Sequence, residues 1–304
     1  MLVSELQNSF PARDYHLGAT LTSGQAFRWK LIDGAWEGVV AERWVRLRAA
    51  NAEICAMTAT PVKDWSWLLE YLQLGVELEP VLRSFPADAS MRAAIEACRG
   101  LRLLRQEPWE CLASFILSST KQIVQIQQIV GLLCERFGTP VPVPSGHSGA
   151  FSFPSAERIA AASEADLRAC KMGFRAPNLL RTARAVAEAR INLEALRART
   201  ADEARAELIS LPGVGRKIAD CVLLFAYGFQ EAFPVDVWVL RALRQLYFPK
   251  RRPSPRRLRR FTTTYFGPNA GYAQQYLFHY MRQQGRVKQT VAAVLSDQAS
   301  AGRK

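Results

Sequence analysis

Residues 208–220 have the sequence LISLPGVGRKIAD, and the organisation of the chain is clearest from this segment outward. A helical pattern ends before Pro212 and a second one begins after Gly215, so Pro-Gly-Val-Gly forms a tight turn between two helices. Gly213 and Gly215 remove side chains where the backbone has to approach another group closely. The first amides of the second helix lack partners within it and can bind an anion.

This pattern predicts a helix-hairpin-helix over about residues 205–227, a motif that binds a DNA phosphate whatever the base sequence. Gly213 and Gly215 are the candidate phosphate contacts. An ordinary pair of antiparallel helices is the alternative. The LPGVG string favours the binding motif.

Lys217 and Asp236 form the next candidate pair. Lys217 begins the second hairpin helix, and Asp236 follows nineteen residues later in FPVDVW, where the chain returns after Pro234. The return can bring the carboxylate beside the mouth of the hairpin. Spacing alone leaves two interpretations open, since Lys217 could simply bind phosphate and Asp236 could simply cap a helix.

The charge distribution indicates a polyanionic partner. The chain carries 40 Lys and Arg against 27 Asp and Glu, a net charge of +13. Residues 1–100 have a net charge of −2 and residues 101–304 have a net charge of +15. Nucleic acid is the first candidate partner and an acidic membrane surface is the second.

Cysteine and histidine usage excludes several classes of site. The six cysteines never occur at C-x₂₋₄-C spacing, and the three histidines lie outside recognisable motifs. Zinc ribbons and local iron–sulfur loops are therefore not encoded. The chain contains no long apolar run, and we expect no secretory signal at its N-terminus. We expect a protein that is not secreted, cytoplasmic or nucleoid-associated in a prokaryote and nuclear in a eukaryote.

The hydrophobic pattern predicts an α+β protein. Extended patterns occupy 25–30, 36–41, 44–48 and 54–58, and helical periodicity runs from residue 88 to 282 around a loop at 138–154. We expect an N-terminal antiparallel sheet domain with helices over 1–100 and an all-α helix-hairpin-helix core over 101–295, followed by a frayed tail at 296–304. The segment PKRRPSPRRLRR at 249–260 is either a solvated, mobile loop or a phosphate-contacting arm.

Three further strings carry a resemblance to a known family. LPGVGRKIADCVLLFA followed by FPVDVWVLR resembles the helix-hairpin-helix DNA glycosylase superfamily. SGQAFRW at 23–29, LLRQEPWECL at 103–112 and GPNAGYAQ at 267–274 are similar to the 8-oxoguanine DNA glycosylase family in the same order. The resemblance implies a bifunctional glycosylase and AP lyase that acts on damaged double-stranded DNA in base excision repair.

The resemblance also assigns roles to residues. Lys217 would attack the sugar C1′ of a flipped nucleotide and form a Schiff base, with Asp236 stabilising the positive charge that develops. The base pocket would consist of the Gly24 carbonyl, Cys221 and Phe278 on the two faces of the base, and Gln274 at its Watson–Crick edge.

Other positions depart from the family pattern. Thr120-Lys121-Gln122 replaces the usual asparagines, Gln125 replaces an arginine, and Trp238 replaces a phosphate-contacting histidine. Arg175 is retained, and Phe174 replaces the usual wedge tyrosine. We expect opposite-base and wedge contacts from Thr120, Gln125, Phe174 and Arg175, and weaker discrimination of the opposite base.

Two alternatives and three further expectations complete the predictions. A glycosylase of the same fold that acts on another damaged base, or a DNA-binding protein without turnover, would fit parts of the pattern. We expect no organic cofactor, no membrane partner and a monomer. Some relatives bind a cation through hairpin carbonyls, for which Ile209, Leu211 and Val214 are the candidates.

Overall fold

The N-terminal part of the chain folds as a five-stranded antiparallel sheet. The computed structural model describes the backbone of residues 6–250 and 252–301, and the side chains of this part as far as residue 285. The strands lie in the order β1-β5-β4-β3-β2. They are β1 (Gln7–Pro11), β2 (Lys30–Ile32), β3 (Ala35–Val40), β4 (Arg43–Ala50) and β5 (Glu53–Thr58).

One face of the sheet is buried against helices. Alternate residues of the central strands, such as Val45, Leu47 and Ile54, are fully buried, as expected for a period of two. They pack with Leu68 and Leu72 from a helix of this domain. The helices of the N-terminal part are α1 (Leu17–Thr22), α2 (Ser66–Leu72), α3 (Leu78–Arg83) and α4 (Ala89–Ala97).

The predicted strand at 25–30 is wrong for residues 25–29. Gln25 is completely buried, and its amide nitrogen donates to the carbonyls of Thr20 (2.9 Å) and Arg102 (2.8 Å). Its amide oxygen accepts from the backbone of Leu104 at 2.7 Å. The side chain of Gln25 therefore binds the backbone of neighbouring segments, and residues 25–29 are not paired in the sheet. The sequence did not reveal β1, which lies at the edge of the sheet beside β5.

The rest of the described chain is helical apart from one short hairpin, β6 (Pro140–Val141) with β7 (Ala150–Phe151), inside the predicted loop. The α+β fold class is thus confirmed. The helices are α5 (Pro108–Leu117), α6 (Ile123–Phe137), α7 (Ala156–Ala160), α8 (Glu164–Leu167), α9 (Ala176–Ala187), α10 (Ala201–Ile209), α11 (Arg216–Val222), α12 (Val237–Ala242), α13 (Pro255–Tyr265) and α14 (Ala270–Ala301). Wider π-type turns extend α8, α11 and α12 at 168–172, 223–227 and 243–247.

The two hydrophobic cores share residues from both parts of the chain. Leu78, Phe85 and Met91, from α3, α4 and the turn between them, are buried in the helical core together with residues of α14. Ala19 and Phe27 also belong to the helical core, whereas Leu104 belongs to the sheet core. The domain boundary at residue 100 stays a prediction.

The basic segment at 249–260 is partly helical. Ser254 accepts from the backbone of Arg257, and Pro255 occupies the first turn, so α13 begins within the arginine run. The expectation of a mobile loop is wrong for residues 255–260. Residues 296–301 of the predicted frayed tail continue α14, and residues 302–304 lie outside the described part.

A buried ion pair holds the two hairpin helices together. Arg205 on α10 donates through Nε to the carboxylate of Asp220 on α11 at 2.6 Å, and both side chains are at least nine-tenths buried. Asp202 contacts the other side of the guanidinium, and Arg216 lies 3.6 Å from Asp220. Among the residues described, no helix is long and apolar enough to cross a bilayer.

Asp220→Asn should lower the free energy of unfolding by about 3 kcal/mol, because the buried Arg205 then keeps only the exposed carboxylate of Asp202 as a charged partner. The double variant Arg205→Met/Asp220→Leu should recover most of that loss. Glu79→Gln, which breaks an exposed pair with Arg83, should change the free energy by less than about 1 kcal/mol. Urea unfolding measures all three. An Asp220→Asn variant as stable as the Glu79→Gln control would contradict the assignment.

Candidate active site

The turn between α10 and α11 has the geometry that its glycines predict. Gly213 has a φ of +79°, and an added Cβ would lie 2.8 Å from the side chain of Asn178. Thr182 on α9 donates to the carbonyl of Pro212 at 3.1 Å, which fixes the turn on the helical core. Gly215 is exposed and precedes the first turn of α11, so the free amides of that turn face outward.

Lys217 lies in the first turn of α11 and is half-exposed. Its Nζ donates to the hydroxyl of Ser118 at 3.1 Å and lies 5.2 Å from the ring centroid of Phe115. Both neighbours belong to the C-terminal end of α5. The amine is therefore held at the junction of α5 and α11 and does not extend into solvent.

Asp236 is the N-cap of α12 and faces Lys217. One carboxylate oxygen accepts from the backbone amides of Trp238 (3.0 Å) and Val239 (2.8 Å). Burial raises the pKa of Asp236 above its ordinary value, while these amides and the positive charge of Lys217 act in the opposite direction. Asp236 therefore caps α12 as one interpretation predicts, and it also interacts with the charge of Lys217. Its catalytic role stays a prediction.

Cys221 lies one turn after Lys217 on the same helix and is buried. Burial raises the pKa of its thiol to about 12, although the charge of Lys217 lowers it. The residue is thus an uncharged, apolar surface beside the lysine at neutral pH. Its predicted place against one face of a base stays a prediction.

Arg282 joins the two halves of the site. It lies on α14, donates from Nη1 to the carbonyl of Thr22 at 3.1 Å, and lies 5.8 Å from the ring centroid of Phe278. Its charge also lowers the pKa of Asp236. The segment that carries Gly24 and the cap of α12 are therefore connected through one guanidinium that the sequence did not single out.

Gly24 lies directly against Phe278. Its φ is +81°, and an added Cβ would lie 2.8 Å from Ile123 and 3.3 Å from the Phe278 ring. Gln274, one turn earlier on α14, is buried, and its Oε1 has no hydrogen-bond partner among the described residues. The buried, unsatisfied oxygen is unusual for a protein interior. Gly24 and Phe278 are thus in contact, with Gln274 one turn away on α14, and the base pocket itself stays a prediction.

The predicted wedge residues Phe174 and Arg175 lie near the end of α5, close to the Ser118 that binds Lys217. Arg175 is buried, and its guanidinium donates to the carbonyls of Ser119 (2.8 Å) and Met172 (3.2 Å) and to the hydroxyl of Thr120 (2.6 Å). Phe174 is 61% exposed and stacks under that guanidinium at 4.2 Å. Phe174 is exposed enough to insert between two base pairs, whereas the guanidinium of Arg175 already donates hydrogen bonds to other groups of the protein.

Two predicted contacts have structural partners instead. The side chain of Gln125 accepts from the backbone amide of Gln122 at 3.1 Å and so caps α6. Trp238 packs with Arg241 at 4.9 Å and lies where a Cβ on Gly285 would contact its ring at 2.9 Å. Base and phosphate contacts by these two residues stay predictions.

The described residues contain no cluster of three or more His, Cys, Asp or Glu that could hold a metal ion. A cation at the hairpin would have to use backbone oxygens. Leu211 already accepts from the amide of Val214 at 3.1 Å and keeps its second lone pair. The Ile209, Leu211 and Val214 site stays a prediction.

The arrangement places a lysine amine near a buried carboxylate at the start of a hairpin helix. Next to the amine, exposed backbone amides can hold a phosphate. Residues 113–268 match the HhH-GPD superfamily of base excision DNA repair proteins. Residues 9–112 match the N-terminal domain of 8-oxoguanine DNA glycosylase. The chain belongs to the 8-oxoguanine DNA glycosylase family.

Similar proteins cover nearly the whole chain. A probable N-glycosylase/DNA lyase from Methanothermobacter thermautotrophicus is 32% identical, over 90% of this chain and 96% of the relative. The structure of MBOgg1 in complex with a low-affinity DNA ligand is 32% identical in sequence and has a TM-score of 0.87. The match covers 92% of this chain and 96% of that one. The Clostridium acetobutylicum 8-oxoguanine glycosylase/lyase in complex with double-stranded DNA containing cytosine opposite 8-oxoG is 27% identical, with a TM-score of 0.85, 93% of this chain and 100% of that one.

Proposed function

We propose that this protein removes 8-oxoguanine from double-stranded DNA and then cleaves the strand as an AP lyase in base excision repair. The observation that carries the proposal is Lys217 held beside Asp236 at the mouth of a phosphate-binding hairpin. Binding of DNA alone needs neither the carboxylate nor its position. The relatives named above, which are glycosylases and lyases, support the same activity.

The chemistry follows from these two residues. The neutral amine of Lys217 attacks C1′ of the flipped nucleotide, and the bond from C1′ to the base nitrogen breaks with its electron pair leaving on the base. The carboxylate of Asp236 stabilises the positive charge that develops on the sugar. Opening of the sugar ring gives a Schiff base, and loss of the C2′ proton then expels the 3′ phosphate.

The predicted base pocket suits an oxidised purine. Phe278 and Cys221 would stack on the faces of the base, and Gln274 would meet its Watson–Crick edge with the buried oxygen that lacks a partner among the described residues. 8-Oxoguanine carries an oxygen on C8 and a hydrogen on N7 that guanine lacks, and a carbonyl such as that of Gly24 can accept a hydrogen bond from N7–H. Unmodified guanine would leave that carbonyl facing an acceptor, which is costly in a buried site.

Lys217→Gln should abolish covalent trapping. The wild-type protein, incubated with borohydride and a duplex that carries one 8-oxoguanine opposite cytosine, should form an adduct because borohydride reduces a Schiff base to a stable amine. The variant should form none and release no base. A trapped adduct with the variant would disprove the lysine's role. No adduct with the wild-type protein would direct the search to other damaged bases.

Gly24→Ala should reduce release of 8-oxoguanine at least about tenfold, because its methyl group is directed at Ile123 and Phe278. Gly34→Ala is a matched control, since Gly34 also has a positive φ of +71° and no described atom within 4 Å of an added Cβ. Both variants should lose about 1 kcal/mol of stability from the backbone strain. Equal base release by the two variants, measured in single-turnover assays, would argue against the Gly24 pocket.

We also propose that discrimination of the opposite base is weak. Gln125 caps α6 through its amide oxygen and carries no charge, and Arg175 already donates to Ser119 and Thr120, so the uncharged amide nitrogen of Gln125 is the donor that these two residues leave for an orphan cytosine. A good bidentate contact to one base is worth about 1–3 kcal/mol of discrimination, which these side chains do not supply.

Base release opposite cytosine and opposite adenine should therefore differ by less than about tenfold, since less than about 1.4 kcal/mol of discrimination remains. Single-turnover rates on the two duplexes test this. Gln125→Arg adds a charged donor and should increase the preference for cytosine. A strict preference for cytosine in the wild-type protein would contradict the proposal.

A further inference from the structure

A long region of the molecule carries positive charge that the active site does not use. The sixty residues between Asp236 and Asp297 contain twelve Lys and Arg and no Asp or Glu. Seven of the twelve lie between residues 250 and 260. The chain therefore concentrates charge in one stretch directly after the cap of the catalytic helix.

The arginines of α13 all face outward. Leu258, Thr262 and Phe266 lie one turn apart and form the buried side of the helix. Tyr247 packs against Phe266 at 5.5 Å between ring centroids, so aromatic contacts hold α13 on the helical core. The exposed side presents four arginines, which are Arg256, Arg257, Arg259 and Arg260.

These charges oppose the stability of the helix. Arg256 and Arg257 occupy the first turn, where the helix dipole favours negative groups. Arg256 also lies three and four positions from Arg259 and Arg260, a spacing at which like charges repel. In the part of the chain that the structure describes, no carboxylate lies within ion-pair distance of these arginines. A polyanion would remove each of these unfavourable interactions.

The positive surface is continuous with the active site. Val237, Arg241 and Arg244 are exposed on one side of α12 and its terminal turn, which begin at Asp236. Residues 237–247 cover about 16 Å at 1.5 Å per residue. At the far end, Arg244, Lys250 and Arg252 surround an open concavity of about 510 Å³.

One carboxylate from a neighbouring element reaches this region. Asp88, the N-cap of α4, accepts from the hydroxyls of Tyr265 (2.9 Å) and Tyr247 (3.2 Å) and from the amide of Met91 (2.9 Å). It thus binds the aromatic anchor of α13 and leaves the arginines on the outer face available.

We propose that this surface, here called the basic track, binds the phosphates of duplex DNA on one side of the flipped nucleotide. The track consists of Arg241, Arg244, Lys250, Arg252 and the four exposed arginines of α13. Its first 16 Å, along α12, correspond to about five base pairs at 3.4 Å each. The inference rests on the proposed function, because that function places the flipped nucleotide at Lys217.

The test removes three charges from α13 in the full-length protein. Arg256→Gln/Arg259→Gln/Arg260→Gln should weaken binding to an undamaged duplex at least about tenfold near 100 mM salt, and should reduce the slope of log affinity against log salt by about two to three. Arg13→Gln/Arg48→Gln/Lys63→Gln is the matched control, with the same loss of charge on exposed positions of the sheet domain. The control should keep the wild-type slope. An unchanged slope in the α13 variant would overturn the proposal.

Two further measurements separate charge from folding and fix the direction of the track. Arg256→Lys/Arg259→Lys/Arg260→Lys should bind as the wild-type protein does. The Arg256→Gln/Arg259→Gln/Arg260→Gln variant should have a melting temperature no lower than that of the wild-type protein. Duplexes with one lesion are then trimmed on either side in turn. Trimming one side alone should abolish the affinity difference between wild type and variant; dependence on both sides equally would contradict a one-sided track.

The outcome is independent of the chemical step. Binding to an undamaged duplex does not require Lys217 to react, so a failed trapping experiment with an intact salt effect would leave the track and remove the proposed chemistry. Normal trapping together with an unchanged salt slope in the α13 variant would support the proposed chemistry and overturn the basic track.

Discussion

The buried amide of Gln25 holds together the two parts of the molecule on which the site depends. It binds the carbonyls of Thr20 and Arg102 and the amide of Leu104, and Gln106 donates to its backbone carbonyl at 2.7 Å. A buried amide with its donors and acceptor satisfied has one low-energy position. The adjacent Gly24 is therefore fixed against Phe278 of α14, which belongs to the other core.

Asp236 also has two roles in the structure. Its carboxylate accepts hydrogen bonds from the free amides of α12 and interacts with the charge of Lys217, so the side chain stabilises the helix that positions it. Arg282 donates to the carbonyl of Thr22, and its charge lowers the pKa of Asp236. The proposed catalytic pair and the proposed base pocket thus come from distant parts of the sequence.

Charge is distributed according to the same division of labour. The sheet domain contributes Gly24 and little net charge, whereas the helical part carries the excess of Lys and Arg. Arg205 and Asp220 use charge inside the fold, whereas α13 exposes four arginines that have no carboxylate within ion-pair distance among the described residues. Charge that destabilises an isolated helix has a physical explanation when a polyanion binds there.

The sequence by itself determined the hairpin, the lysine and the aspartate, because glycine spacing and helix caps are local properties that short segments express. It also determined most helices from their periodicity. Tertiary structure alone decided that Gln25 is a buried connector and not a strand residue, and that Arg282 donates to the segment that carries Gly24. These assignments depend on partners up to 260 residues away in the chain, and no local pattern encodes a partner at that distance.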